Sequence, residues 1–169
     1  MFDTLVDIAV SVLLAVGLPA MFVLFVLKGA IVGKPLPTSV LLPGYILAVS
    51  PPTTTIVLAI AVASVGYVCG QLLIYLFAAR HGRDALQSNR WVPLTDAQID
   101  RADALFERYS GPGVFVTNLL PYAGTFIVIP AGVAGYPIGR LTAYALVSTV
   151  LNYVVIVWFV VGSIGILIG

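Results

Sequence analysis

Between Lys34 and Arg80 the chain runs for 45 residues without one Asp, Glu, Lys or Arg. Three further charge-free runs, 8–27, 109–139 and 141–169, have 20, 31 and 29 residues, so the four hold 125 of the 169 residues. Hydrophobic residues make up 60% of the chain and charged ones 9%, against about 25% charged in an ordinary soluble domain. Fifteen charged side chains cannot cover that much apolar area in water. The composition specifies an integral membrane protein, which excludes a soluble enzyme, a nucleic-acid binder and a disulfide scaffold. A net charge of +1 with no basic run agrees that nucleic acid is not a partner. Cys69 is the single cysteine and cannot form an intramolecular disulfide.

Ten of the fifteen charged residues lie between Arg80 and Arg108, which marks the one long water-exposed segment. Arg80, Arg83 and Arg90 follow directly on an apolar run, and Arg140 opens another. By the bias of Lys and Arg toward the cytoplasm, 81–110 is expected on the cytoplasmic side of a multi-pass plasma-membrane protein. Asp3 and Asp7 occupy the place of a basic leader region. The first apolar segment is therefore expected to be kept as a membrane anchor.

Proline and glycine divide the apolar runs into two kinds. About 20 residues are needed to cross the hydrocarbon core. Segments 5–27 (with Pro19 as a possible kink), 54–80 and 138–168 read as long transmembrane helices. Segment 30–50 instead carries Gly33, Pro35, Pro37, Pro43 and Gly44, and 111–137 carries Pro112, Pro121, Gly124, Pro130, Gly132 and Gly135. An interior Pro costs a helix about 3 kcal/mol, so neither is one straight span. Both are too apolar for water, and broken backbone at membrane depth must face protein or a wet cavity. The expectation is two re-entrant hairpins, each preceding a long helix and entering from opposite faces, an inverted repeat of transporter type. The alternative is two unrelated kinked segments.

Residues 93–110 form an amphipathic helix of their own. Thr95 and Gln98 make a capping box, with Leu94 and Ile99 as its hydrophobic staple. Ile99, Ala102, Phe106 and Tyr109 share one face, and Gly111 is the expected stop. Mixed charge places this helix at the interface. The fold class is thus an all-α integral membrane protein with about three long transmembrane helices, two opposed re-entrant hairpins and one interfacial amphipathic helix.

Candidate site residues follow from what the bilayer tolerates. An ionisable residue at membrane depth is a functional candidate. Lys34, between Gly33 and Pro35, is suited to hold a lipid phosphate as a compact cation with three donors, or else snorkels to the interface. Lys28 ends the first helix and reads as an interfacial anchor. Thr38 and Ser39 in the first hairpin, and Asn118, Tyr122 and Thr125 in the second, are neutral donors for a phosphate. They serve equally to satisfy broken backbone. Gln71 and Asn152 lie within long helices, where interhelical hydrogen bonds are the default, and Gly66 and Gly70 permit close helix packing. Arg80, Arg83 and Arg140 face headgroups, with His81 beside them. One His and no acidic residue in the charge-free runs leave no catalytic site, metal site or cofactor to expect.

Gly66-x3-Gly70-Gln71-x3-Tyr75, followed by Arg80-His81-Gly82, resembles the second-helix signature of the DedA family, whose members share the VTT domain. Pro35-Leu36-Pro37-Thr38-Ser39 with Pro43-Gly44-Tyr45 is similar to that family's first hairpin, and Asn118-Leu119-Leu120-Pro121 with Pro130-Ala131-Gly132 to its second. The resemblance covers nearly the whole chain in order. It implies two opposed hairpins inside a small bundle and movement of lipids across the bilayer, with polyprenyl-phosphate carriers or phospholipids as the substrate classes. It also implies an acidic residue near the first hairpin, Asp at position 71 and Arg at 118 and 124, for proton coupling and phosphate binding. This chain has Lys28 and Thr38-Ser39, Gln71, Asn118 and Gly124 there instead. The expected function is a lipid transporter or flippase for a polyprenyl phosphate, its site between the hairpins. The alternatives are a passive phospholipid scramblase and a non-transporting membrane scaffold.

Overall fold

A computed structural model describes residues 11–30, 38–87, 96–120 and 124–168, and the elements among them are all helical. Beside a helical stretch over 11–16, the described helices are α1 (Leu18–Ala30), α2 (Thr38–Val49), α3 (Thr53–Gln87), α4 (Asp96–Leu119), α5 (Gly124–Val133) and α6 (Ile138–Ile168). Among the described residues, two stretches are long and apolar enough to span a bilayer, Thr53–Gly82 and Ile138–Ser163. At 1.5 Å per residue each exceeds the ~30 Å hydrocarbon core. Their outer faces are apolar, as lipid contact requires: Val57, Leu73 and Leu76 are exposed on α3, and Val147, Val155 and Trp158 on α6.

Local chemistry explains the helix ends. Ser50 stops α2 in a left-handed conformation (φ 45°), and Pro51-Pro52 cannot continue it. The Pro52 carbonyl then accepts from Thr55 at 2.9 Å and Ile56 at 3.2 Å to open α3. Past α5, Gly135 (φ 63°) closes a Schellman turn in which Tyr136 N–H reaches the Ala131 carbonyl at 2.9 Å.

Two boundaries differ from the sequence expectation. Within 5–27 the described chain is helical over 11–16, breaks at Gly17 (φ 71°) and resumes as α1, which runs on to Ala30. Pro19 falls in the first turn of α1, where an absent N–H breaks no helical bond, so Gly17 makes the break. At 13 residues α1 is about 20 Å long, short of a span. The amphipathic segment does not stop at Gly111 either. Ser110 (φ 45°, ψ −121°) kinks α4, and a second arm over 111–119 follows at once, with Pro112 harmless in its first turn. Phe106 is buried edge-on against Tyr136, whereas Tyr109, expected on the same face, is exposed beside Arg108. Thr95 of the capping box and Leu94 of its staple lie outside the described residues.

Glycine sets the helix contacts. A methyl group on Gly70 would come within 2.7 Å of the Ala30 nitrogen, and one on Gly66 within 2.7 Å of the Phe22 carbonyl. The matched order of these pairs means that α1 and α3 run parallel in near backbone contact, the close approach that small residues allow. On α5, a methyl on Gly132 would lie 2.9 Å from the Ala78 side chain of α3. Tyr67 meets Tyr153, while the Tyr75 hydroxyl donates to the Tyr136 carbonyl at 2.6 Å, so α3 and α6 are antiparallel. Apolar side chains gather in two clusters. One joins α1 and α2 to the first half of α3 and the second half of α6. The other joins α4 and α5 to the opposite halves.

Candidate functional site

A polar layer lies where the two apolar clusters meet. On α3, Gln71 falls between Tyr67 of one cluster and Tyr75 of the other. On α6, Ser148 and Asn152 fall between Ala145 and Tyr153. The end of the 111–119 arm and the start of α5 meet both long helices here. This is the place where the second interrupted segment exposes the backbone groups its helices leave unpaired.

Asn118 is the hub. Gln71 Nε2 donates to its Oδ1 at 2.8 Å, and its own Nδ2 donates to Ser148 Oγ at 3.2 Å. Asn152 Nδ2 lies 3.0 Å from both the Asn118 and Leu119 carbonyls, so one amide caps the frayed end of the arm. The Tyr67 hydroxyl is 3.3 Å from Thr125 Oγ1 in the first turn of α5. A methyl on Gly124 would lie 2.9 Å from Asn118 Cγ and 3.0 Å from the Tyr67 hydroxyl, so glycine is what lets α5 begin against this hub. Gln71 is 1% and Asn118 7% exposed. Among the described residues, Ser64 Oγ, Thr149 Oγ1 and Gln71 Oε1 are buried without a hydrogen-bond partner. Each such group costs about 1–3 kcal/mol when left unpaired.

Lys28 stands apart from the expectation of an interfacial anchor. Its Nζ lies 4.8 Å from the Tyr67 ring centroid, 5.3 Å from Tyr153 and 5.7 Å from Phe25. It also donates to the Tyr153 hydroxyl at 3.4 Å. The contact of Gly29 with α3 turns the adjacent Lys28 inward, toward Tyr153 of α6. Cation–π contacts of this kind contribute about 0.5–2 kcal/mol each, more as water is excluded. Phe25 in turn packs edge-on to Tyr153 at 5.3 Å.

The structure brings Gln71, Asn118 and Thr125 of the expected set together. Lys34 and Tyr122 lie outside the described residues, and of Thr38 and Ser39 it is the backbone, the first turn of α2, that is described. Arg80 and Arg140 are exposed, away from the polar layer. Arg83 lies beyond the kink at Gly82 in α3. Lys28, Tyr67, Ser148 and Tyr153 were not singled out as site residues from the sequence. A signal existed for two of them: Ser148-x3-Asn152 stacks two polar side chains on one face of an apolar helix, and Phe25-x2-Lys28 puts ring and ammonium on one side. Among the described residues, no cluster of His, Cys, Asp or Glu is placed to hold a metal.

The VTT domain model matches residues 18–164, which takes in both long helices, both pairs of short helices and the polar layer. The chain belongs to the VTT-domain family. Membership in this family and the two long apolar helices make it a membrane protein. Over 86 residues the chain is 29% identical to undecaprenyl phosphate transporter A of Staphylococcus aureus, a match covering 49% of this chain and 39% of that protein. The matched region thus spans about two-fifths of the relative's length. No solved structure matches the chain. Position 118 lies against both 71 and 124, the three positions at which the family resemblance implies one Asp and two Arg. Here they form a neutral amide pair with a glycine against it.

Proposed function

We propose that this protein moves a lipid phosphate, of the polyprenyl-phosphate class, across the plasma membrane through the polar layer between its two interrupted segments. The observation that carries this reading is the buried hydrogen-bonded hub of Gln71, Asn118 and Ser148 at the break of the second segment. Packing alone does not require polar groups at membrane depth, and interrupted helices at matching places in two halves are the arrangement by which transporters build a mid-membrane site. The name of the Staphylococcus aureus relative supports the substrate class.

On this reading α1 and α2 are the arms of one re-entrant hairpin, and the 111–119 arm and α5 those of another. The first hairpin then begins near Leu18 rather than at residue 30. In sequence, Lys34 falls between the arms of the first hairpin, Thr38 and Ser39 open its second arm, and Tyr122 falls between the arms of the second. Arg80, Arg83 and Arg140 meet headgroups at the edge, with 81–110 in the cytoplasm. The site uses donors and amides rather than a titrating carboxylate.

Reconstitution tests the reading. Labelled undecaprenyl phosphate in proteoliposomes is expected to become accessible from the opposite leaflet faster than in empty vesicles. Acceleration of phosphatidylcholine alone makes the protein a phospholipid scramblase. No acceleration of either lipid leaves a scaffold, and transport is then wrong.

A further inference from the structure

We infer that Lys28, held among Phe25, Tyr67 and Tyr153, is the cation that binds the phosphate of the transported lipid. The inference rests on the transport reading for its substrate and adds the group that recognises the headgroup.

Lys28 is a charged side chain drawn in among the helices, whereas Arg80, Arg101, Arg108 and Arg140 are all exposed. The sequence holds no Asp or Glu between Asp7 and Asp84, nor after Glu107, so α1, α2, α5, α6 and the spanning part of α3 bring it no carboxylate. Asp3 and Asp7 lie outside the described residues. An ammonium has three N–H donors, and among the described residues its hydrogen bond is to the Tyr153 hydroxyl. The ring faces around it favour the positive charge without neutralising it. Among the described residues, Lys28 is a half-buried cation with donors to spare, aromatic walls and no carboxylate beside it, a setting suited to an anion that arrives on an apolar tail.

The neighbours of Lys28 point to the same chemistry. Tyr67, one wall of the nest, reaches Thr125 Oγ1 with its hydroxyl and lies against Gly124, where the ten-residue α5 begins. The N-terminus of α5 adds partial positive charge beside the hydroxyl of that ring. On the same face of α3, Ser64 Oγ and Gln71 Oε1 are buried without partners among the described residues. One is a hydroxyl able to donate to a phosphate oxygen, and the other accepts from a protonated one. A phosphate monoester supplies both kinds of oxygen, which a choline headgroup does not.

The test compares purified wild-type protein with Lys28→Met, which keeps the apolar stem, and Lys28→Arg, which keeps the charge. Binding is measured in detergent for undecaprenyl phosphate and for phosphatidylcholine, with and without excess inorganic phosphate. Lys28→Met is expected to bind undecaprenyl phosphate about tenfold or more weakly, the worth of one charge-assisted contact. Lys28→Arg should stay within about threefold of wild type, and phosphatidylcholine binding should be unchanged in both variants. Undiminished undecaprenyl phosphate binding by Lys28→Met overturns the inference. So does an equal fall for phosphatidylcholine, or a variant that no longer elutes as a single folded species while Lys28→Arg also loses binding. Competition by inorganic phosphate in the wild type means that the free anion is accepted as well; no competition means that the phosphate is read on its lipid. Lys28 keeps its role in both cases. The flipping assay separates the two claims: wild type that binds through Lys28 but moves no lipid refutes transport alone, and Lys28→Met that flips at the wild-type rate refutes the binding role alone.

Discussion

Gln71 and Asn118 are joined by a 2.8 Å hydrogen bond that ties the middle of the first long helix to the end of a broken arm 47 residues further along. Both side chains are neutral, and Asn118 continues the chain of bonds to Ser148 on the second long helix. The pair therefore couples three helices without burying a charge.

Replacing Asn118 by Leu leaves the Gln71 amide without its acceptor and the Ser148 hydroxyl without one donor. The expected loss is about 1–3 kcal/mol of stability in detergent. Gln71→Leu removes the same bond from the other side, so the double variant should be less destabilised than the sum. Coupling of about 0.6 kcal/mol is typical at membrane depth. If the single losses simply add, the bond contributes nothing and this account of the pair fails.

Gly70→Ala should pry α1 from α3, because a methyl there would approach the Ala30 nitrogen to 2.7 Å. Overpacking against backbone costs about 1–3 kcal/mol. Gly139→Ala is the control, since nothing lies within 4 Å of that site on α6. Thermal unfolding should show a lower midpoint for the first and a midpoint no lower than wild type for the second. Equal stability of the two variants contradicts the close crossing.

Asn152→Ala uncaps the Asn118 and Leu119 carbonyls together. The end of the arm should then open more often. Hydrogen exchange is the measurement: amides at 115–120 should exchange faster in the variant while those of 141–150 in α6 hold their rate. Unchanged exchange at the arm would mean that Asn152 does not hold it.

Tyr153 contributes both a ring and a hydroxyl to the Lys28 nest. Tyr153→Phe keeps the ring and should cost less than Tyr153→Leu, by about 0.5–2 kcal/mol, the range of a cation–π contact. Chemical unfolding in mixed micelles orders the two variants. A Phe variant as unstable as Leu would assign the whole effect to the hydroxyl.

Much of this architecture is legible in particular residues. Charge-free runs locate the two long helices, since only lengths near 20 apolar residues or more can cross and charged residues must end them. Pro43, Pro112 and Pro130 mark the segments that remain short. Gly66 and Gly70, spaced one turn apart, announce a close helix contact, and α1 fills it. What stayed hidden is where the breaks fall. Gly17 rather than Pro19 interrupts the first apolar run, and Ser110 rather than Gly111 kinks α4. Proline in a first helical turn is conformationally silent, whereas a left-handed Ser50 or Ser110 leaves no mark in composition. Gln71 and Asn118 stand out as polar residues in apolar surroundings, but their pairing across 47 positions has no local signature.

The sequence by itself determined that this chain is a membrane protein with broken segments, because solvation and backbone hydrogen bonding act on every residue locally and leave a pattern in composition. Tertiary structure alone decided which face of each helix turns inward. The placement of Lys28 shows why. From its position at a helix end it reads as an anchor, yet the contact of Gly29 with Gly70 rotates it toward Tyr67 and Tyr153. A few ångströms of helix separation thus decide whether a cation meets water or the interior, and that distance depends on residues 40 and more positions away.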